Sequence, residues 1–145
     1  MKLVVQRVKS ARVSVGEEKV GEVGLGLFVL LGVGLGDTQE VAEKLVEKLL
    51  KLRIMSDEQG KMNLSIMETT KEILVVSQFT LYANTSKGNR PSFVAAAEPD
   101  LARDLYKYFV SSLIEKGVGV ATGEFGAYMK IEAELDGPVT IELSI

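Results

Sequence analysis

Hydroxyl and amide side chains follow an apolar strand in the middle of this sequence. Ser77, Gln78 and Thr80, with the aromatic Phe79 among them, come directly after the apolar residues 73–76. Ligands often bind at the carboxyl ends of strands in α/β sheets. The side chains and backbone N–H groups here could bind and polarise a carbonyl group. The structural alternative is a strand edge whose Ser and Thr hydroxyls satisfy nearby backbone groups.

The residues that most enzymes use as bases and nucleophiles are absent. The 145 residues include no His and no Cys. Their absence excludes Ser-His-Asp triads, Cys-His dyads, His-ligated metals, Cys-based zinc sites and disulfides. An enzyme with this sequence has to use hydroxyls, carboxylates, lysines, backbone groups or groups of its own substrate.

The carboxylates form no convincing catalytic pair. Neighbouring acidic residues fall in a predicted turn, a loop and one solvent-facing side of a strand: Glu17-Glu18, Asp57-Glu58 and Glu132/Glu134. Charged residues are seldom fully buried, so we expect these pairs to be solvated surface. No acidic group has the spacing of metal ligands, and we expect neither a metal nor a cofactor.

Glycines at alternate positions lie between a predicted strand and a predicted helix. Gly32, Gly34 and Gly36 suggest nucleotide binding, but Asp37 stands where the dinucleotide fingerprint requires glycine. An acidic residue at a helix start would also repel a phosphate. The segment 86–88 (SKG) has the wrong order for a phosphate loop. We expect turns and helix caps at both places.

Two predicted strands near the carboxyl end are joined by Asp136-Gly137-Pro138. The tripeptide is not the favoured chemistry of a two-residue hairpin. A cis Gly-Pro bond would turn two carbonyls the same way and present a rigid backbone wall. Only about 5–6% of X–Pro bonds are cis, so composition does not favour that form over an ordinary turn.

Hydrophobic periodicity predicts the elements that position these groups. The predicted strands cover residues 3–8, 11–15, 20–23, 27–33, 72–80, 118–122, 129–135 and 139–145. In the strand 129–135, alternation places Met129, Ile131, Ala133 and Leu135 on a core-facing side. The apolar runs 27–33 and 73–76 are typical of strands inside a sheet.

Two amphipathic helices complete the pattern. The first begins at Asp37, which with Glu40 has the spacing of a capping box, and it extends through about four turns. The second begins near Pro99 and ends at Gly117. Its predicted buried side consists of Leu101, Leu105, Tyr108, Phe109, Leu113 and Ile114. The elements predict an α/β or α+β domain with a mixed sheet and two principal helices.

Length and charge restrict the class of protein further. The 145 residues, 46% of them hydrophobic, fit one domain over 1–145. The net charge of −3 argues against extensive binding to duplex DNA, which requires a basic face. The start of the chain lacks a secretory apolar region, and the longest apolar stretch, 25–35, is too short to span a bilayer. We expect a cytoplasmic protein.

Six segments together resemble the D-aminoacyl-tRNA deacylases of bacteria and eukaryotes. The resemblance covers essentially the whole chain, and SQFTL with GPVT at this separation is its most specific part. The segments are residues 6–8, 61–64, 75–81, 88–93, 125–129 and 136–140. Leu135 departs from the pattern, because the family often has Asn before Asp-Gly-Pro.

The resemblance implies a homodimer with a barrel-like sheet that needs no cofactor and acts on the aminoacylated 3′ end of tRNA. The implied reaction is hydrolysis of the ester between a D-amino acid and the terminal adenosine, with action also on glycyl-tRNA, including glycine mischarged on tRNA-Ala. The two active sites would lie at the dimer interface. Lys51, Lys87 and Arg90 are candidates to contact tRNA phosphates.

The resemblance also implies roles for individual residues. Ser77 to Thr80 would line the floor of the pocket, and a cis Gly137-Pro138 pair would enter the pocket of the other subunit and reject L-amino acids. Arg7 would hold the Gly-Pro loop. Phe125 and Met129 would lie near the adenosine or the interface.

An aminoacyl ester hydrolyses readily, so modest stabilisation of its transition state is sufficient. Backbone N–H groups around Phe79 and Thr80 could bind the oxyanion while the substrate 2′-hydroxyl relays a proton to or from water. Thr80 is the alternative nucleophile, but it lacks a visible base. A dimer that only sequesters an amino acid or nucleotide in the same pocket is the non-catalytic alternative.

Overall fold

A mixed sheet and two helices form this chain, all 145 residues of which are described by a computed structural model. In chain order the elements are β1 (Lys2–Val15), β2 (Glu18–Val23), β3 (Gly26–Gly32), α1 (Gln39–Lys51), β4 (Met55–Ser56), β5 (Met62–Leu64), β6 (Glu72–Ser77), α2 (Pro99–Glu115), β7 (Gly119–Thr122) and β8 (Lys130–Ser144), with 3-10 turns at Ile66–Glu68 and Phe79–Tyr82. The predicted fold class, with a mixed sheet and two helices, is confirmed.

Strand β1 organises the sheet because it pairs with three strands. One edge is antiparallel to β3 and then to β2, and the other edge is antiparallel to β8 along nearly its whole length. Strands β3, β6 and β7 continue the sheet in parallel. A Cβ on Gly21 in β2 would lie 2.3 Å from the carbonyl oxygen of Thr122 in β7. The two ends of the curved sheet therefore approach each other closely, and the sheet is a nearly closed barrel.

Apolar side chains cover both faces of the central strands. Leu27 and Val29 of β3 belong to the main core between the sheet and the helices, whereas Phe28 belongs to a second cluster on the opposite face. Successive strand residues point to opposite faces. Burial on both sides therefore explains the continuous apolar runs in β3 and β6 and confirms their predicted place inside the sheet.

Two pairs of predicted strands are single long strands. Residues 3–8 and 11–15 both belong to β1, and residues 130–135 and 139–144 both belong to β8. The register between β1 and β8 shifts between Gln6 and Val8 and again between Val8 and Ser10. The Asp136-Gly137-Pro138 segment is thus an irregularity within a strand, and the prediction of a hairpin turn there is wrong.

The helix boundaries and faces need smaller corrections. Thr38, not Asp37, is the N-cap of α1, and the Asp37 carboxylate instead accepts the N–H of Gly34 at 2.6 Å. On α2, Leu101 and Ile114 are exposed, although both were predicted to be buried. Neither helix combines the length and apolar content required to cross a membrane.

Candidate active site

A pocket of about 590 Å³ opens between the end of β6, the start of α2 and the segment that leads into β8. Fourteen of its nineteen lining residues are hydrophobic. The lining residues include Ser77, Gln78, Phe79, Phe93, Ala96, Ala97, Ala102, Tyr106, Phe125, Tyr128, Met129 and Ile131. A concave, mostly apolar pocket with a few polar groups at one end is the usual form of a small-molecule site.

Five residues singled out in the sequence lie together in this pocket. Ser77, Gln78 and Phe79 line it from the end of β6, and Phe125 and Met129 line it from the segment before β8. Two chain segments about fifty residues apart in sequence therefore meet at this pocket.

The Phe79–Tyr82 turn begins where the sheet ladder ends. The Gln78 N–H donates to the Leu31 carbonyl at 2.8 Å, and the first hydrogen bond of the turn runs from the Leu81 N–H to the Gln78 carbonyl at 3.4 Å. The N–H groups of Phe79 and Thr80 precede that bond, so they have no acceptor within the turn. Thr80 does not line the pocket, and its hydroxyl accepts a hydrogen bond from the Gln78 side-chain amide.

Aromatic contacts fix the walls of the pocket. The rings of Phe79 and Phe93 meet edge to face with centroids 5.0 Å apart, and the Tyr106 and Phe125 rings are 5.9 Å apart. The Arg103 guanidinium lies 5.3 Å from the centroid of Phe125. An edge-to-face aromatic pair such as Phe79 and Phe93 contributes about 0.5–1.5 kcal/mol beyond the area that it buries.

The pocket contains few groups that can exchange a proton near neutral pH. Burial raises the pKa of Tyr106 to about 12, and its hydroxyl donates to the Val75 carbonyl at 2.8 Å. Glu98 is the only carboxylate that lines the pocket, and it is exposed. No three His, Cys, Asp or Glu side chains converge as metal ligands in the chain. The polar groups at this end of the pocket are therefore the side chains of Ser77 and Gln78 and the backbone of the adjoining turn.

Gly137 and Pro138 lie outside this pocket, on β8, and the peptide bond between them is cis. Arg7 contacts Asp136, the residue before Gly137. Its Nε lies 3.0 Å from Asp136 Oδ2 and donates to the Asp136 carbonyl at 3.2 Å. The same guanidinium donates to the Ile54 carbonyl at 2.8 Å and is buried. Arg7 thus ties this part of β8 to the segment that follows α1.

A family model described as D-Tyr-tRNA(Tyr) deacylase matches residues 4–144. The chain belongs to this deacylase family. A D-aminoacyl-tRNA deacylase from Dehalococcoides mccartyi (strain CBDB1) is 57% identical over 99% of this chain and 94% of its own. A D-aminoacyl-tRNA deacylase from Thermosipho melanesiensis is 53% identical over 99% of this chain and 96% of its own.

Two solved structures share the deacylase fold of the chain. A c-Myc DNA Unwinding Element Binding Protein is 46% identical and superposes with a TM-score of 0.94, covering 100% of this chain and 99% of its own. A probable eukaryotic D-amino acid tRNA deacylase is 20% identical with a TM-score of 0.82, covering 99% of this chain and 98% of its own. The second likeness concerns the fold alone.

Several residues that line the pocket were not identified from the sequence. Tyr106 was missed because Leu105 and Tyr108 were assigned to the buried side of α2, yet Tyr106 is buried and faces the pocket. The spacing of Ala102, Tyr106 and Phe109 on one helix face could have indicated it. Phe93 lay within a segment shared with the family but was given no role.

Proposed function

We propose that the chain hydrolyses the ester bond between a D-amino acid and the 3′-terminal adenosine of tRNA. Family membership and the names of the curated relatives support this function. The observation that carries it is the Phe79–Tyr82 turn, whose first two N–H groups are unpaired within the turn beside an apolar pocket. Its volume of about 590 Å³ lies within the usual range of small-ligand pockets, about 300–1,000 Å³.

The proposed chemistry uses water as the nucleophile. Water adds to the ester carbonyl carbon, the N–H groups of Phe79 and Thr80 bind the oxyanion, and the C–O bond to the adenosine breaks. The proton passes through the substrate's own 2′-hydroxyl to the departing 3′ oxygen. Each such donor contributes about 2.7–4 kcal/mol to transition-state stabilisation.

Thr80 is less suited to act as the nucleophile. Its hydroxyl accepts a hydrogen bond from the Gln78 amide, which is not a base, and it is not a lining residue of the pocket. An unactivated hydroxyl is a weak nucleophile at neutral pH. The proposed role of Ser77, Gln78 and Thr80 is therefore to shape the turn and the pocket floor.

The functional unit is proposed to be a homodimer. Strand β8 pairs only with β1, so its 15 residues leave one edge free. Ile131 and Leu135 are exposed on the side of β8 whose alternation predicts burial. Tyr128 and Phe79 are 96% and 57% exposed beside the pocket. Exposed apolar patches of this kind mark interfaces, and a second copy would cover both the edge and the patch.

Gly137 and Pro138 are proposed to screen the handedness of the substrate in the pocket of the second copy. Both residues are exposed on β8, the strand assigned to the interface. A backbone wall close to the α-carbon would leave no room for an L side chain, whereas glycine would pass, including glycine mischarged on tRNA-Ala. Selectivity of this kind comes from a clash with the wrong substrate.

The loop after the turn is proposed to contact phosphates near the tRNA 3′ end. Residues Asn84 and Ser92 pair across its base, and Lys87 and Arg90 between them form no ion pair. Phe93 follows directly and lines the pocket. Lys51 pairs with Glu47 at 3.4 Å, which leaves Lys87 and Arg90 as the better candidates. Such a substrate would place the enzyme in the cytoplasm, where translation takes place.

Incubation with tRNA charged with D-Tyr, L-Tyr or Gly tests the proposed function. We expect release of D-Tyr and of Gly and retention of L-Tyr, measured as loss of the charged 3′ end. Binding of the charged tRNA without release of D-Tyr would instead support a dimer that sequesters its ligand. The DNA unwinding element that appears in the name of the 46% identical structure serves as a comparison ligand. We expect weak binding to it because the net charge is −3.

Removing the positive charges of Lys87 and Arg90 is expected to weaken binding of tRNA without altering the chemical step. The Lys87→Ala/Arg90→Ala variant should raise KM while kcat stays near the original value, because phosphate contacts position the substrate. The slope of log KM against the logarithm of the salt concentration should be smaller by about one to two units in this variant. The reason is that binding releases two fewer counterions. Lys48→Ala, an exposed lysine on α1, is the matched control. An unchanged salt dependence in the double variant would contradict the proposed contact.

A further inference from the structure

Gly32, the last residue of β3, and Gly34 face the ring of Tyr82, the last residue of the turn. A Cβ on Gly34 would lie 2.5–2.6 Å from Cζ, Cε1 and the hydroxyl oxygen of Tyr82. A Cβ on Gly32 would lie 3.3 Å from Cε2 of the same ring. The ring therefore occupies the space that a side chain at position 34 would need. Gly36 differs, because its φ of +79° serves the loop and a Cβ there would meet nothing within 4 Å.

Other groups hold the Tyr82 ring in this place. The Lys2 ammonium lies 5.0 Å from the ring centroid and donates to the Leu81 carbonyl at 3.2 Å. The Asp37 carboxylate accepts the Gly34 N–H at 2.6 Å and lies 3.4 Å from the Tyr82 hydroxyl. Burial, together with that carboxylate, raises the pKa of Tyr82 to about 12, so the hydroxyl is protonated at neutral pH.

Both ends of the turn rest on the same stretch of backbone. At its start, the Gln78 N–H donates to the Leu31 carbonyl, and a Cβ on Gly32 would lie 3.1 Å from the Gln78 carbonyl oxygen. At its end, the same Cβ would lie 3.1 Å from Cβ of Leu81, next to Tyr82. The positions of Phe79 and Thr80 between these ends are therefore set by how closely the turn approaches the glycines.

We propose that Gly32 and Gly34 form a cradle without side chains that holds Tyr82 and thereby places the Phe79 and Thr80 N–H groups against the ester carbonyl. Neither Gly34 nor Tyr82 lines the pocket, so both are positioning residues. The inference rests on the proposed function of the turn. It also gives Gly32 and Gly34 a role, although their sequence does not match a nucleotide-binding motif.

Steady-state kinetics on D-Tyr-tRNA and thermal melting of four variants test the cradle. Tyr82→Ala and Gly34→Ala should each lower kcat by about 100-fold, the effect of a displacement of about 1 Å at a reacting centre, with KM changed less than about twofold. Tyr82→Phe keeps the ring and should stay within about threefold of the original kcat, because the 3.4 Å hydroxyl contact is long. Gly24→Ala, whose Cβ would find its nearest neighbour at 3.8 Å, is the control and should match the original protein.

The double variant Gly34→Ala/Tyr82→Ala separates a shared contact from two independent defects. Removing the ring relieves the clash, so the double variant should melt no lower than the less stable single variant and have a similar kcat. A folded Tyr82→Ala protein with the original kcat, or fully additive losses, would overturn the inference. If the unmodified protein hydrolysed no charged tRNA, the proposed function would fail. Non-additive effects of the two substitutions on the melting temperature would then test by themselves whether Gly34 and Tyr82 are in contact as proposed.

Discussion

The Arg7→Ala variant is expected to lose about 2–4 kcal/mol of unfolding free energy together with most of its deacylase activity. Removing one partner of a buried ion pair costs about 3–5 kcal/mol, and we expect slightly less because the Asp136 side chain is 29% exposed. The substitution also leaves the Ile54 carbonyl without its donor at 2.8 Å. Activity should fall because Asp136 directly precedes Gly137 and Pro138.

A second arginine on β1 supplies the control. Arg12 makes two hydrogen bonds to Glu132 of β8, at 2.9 and 3.0 Å, but its side chain is 52% exposed. Arg12→Ala should therefore lower the urea midpoint of unfolding far less than Arg7→Ala does, and it should leave activity unchanged. Arg7→Lys keeps the charge but not the planar group of donors, so an intermediate loss is expected. Equal losses in Arg7→Ala and Arg12→Ala would show that burial of the pair is unimportant.

Local patterns in the sequence were sufficient to predict most elements and one wall of the site. The apolar runs in β3 and β6 are continuous because both faces of these strands are covered, and this composition is visible in the sequence. The segment from Ser77 to Thr80 was a candidate site because polar residues follow a buried strand, with an ordinary strand edge as the alternative. The pocket is lined by Ser77, Gln78 and Phe79 but not by Thr80.

Features that depend on contacts between distant segments could not be predicted. Irregular pairing with β1 allows β8 to continue through Asp136-Gly137-Pro138, and no local pattern distinguishes that from a turn. The alternation around Ile131 correctly predicts a strand with one apolar and one polar side. It does not show what covers the apolar side, which is exposed at Ile131 and Leu135 in the single chain. The space at Gly34 is likewise set by Tyr82, 48 positions later in the chain.

The Gly137→Ala variant is expected to lower kcat/KM for D-Tyr-tRNA by about 100-fold, since small displacements of positioning groups have effects of this size. A Cβ at Gly137 would lie 2.8 Å from Cγ2 and 2.9 Å from the backbone N of Val139, and the φ of Gly137 is +133°. The exposed segment must shift, so preference for D-Tyr over L-Tyr should weaken as well. Gly88→Ala, with a φ of +135° and nothing within 4 Å of its Cβ, measures the cost of backbone strain to the melting temperature without the clash.

Mixed dimers decide whether Gly137 acts on its own pocket or on that of a second copy. The complementary variant is Phe79→Pro, which removes one proposed oxyanion donor at the first position of a turn, where proline is tolerated. If each site combines the turn of one subunit with Gly137 of the other, a heterodimer has one intact site. Random exchange of two inactive variants should then restore about a quarter of the original activity, as expected for a two-fold symmetric interface. If each pocket uses its own Gly137, every site in the mixture carries one defect and no activity returns.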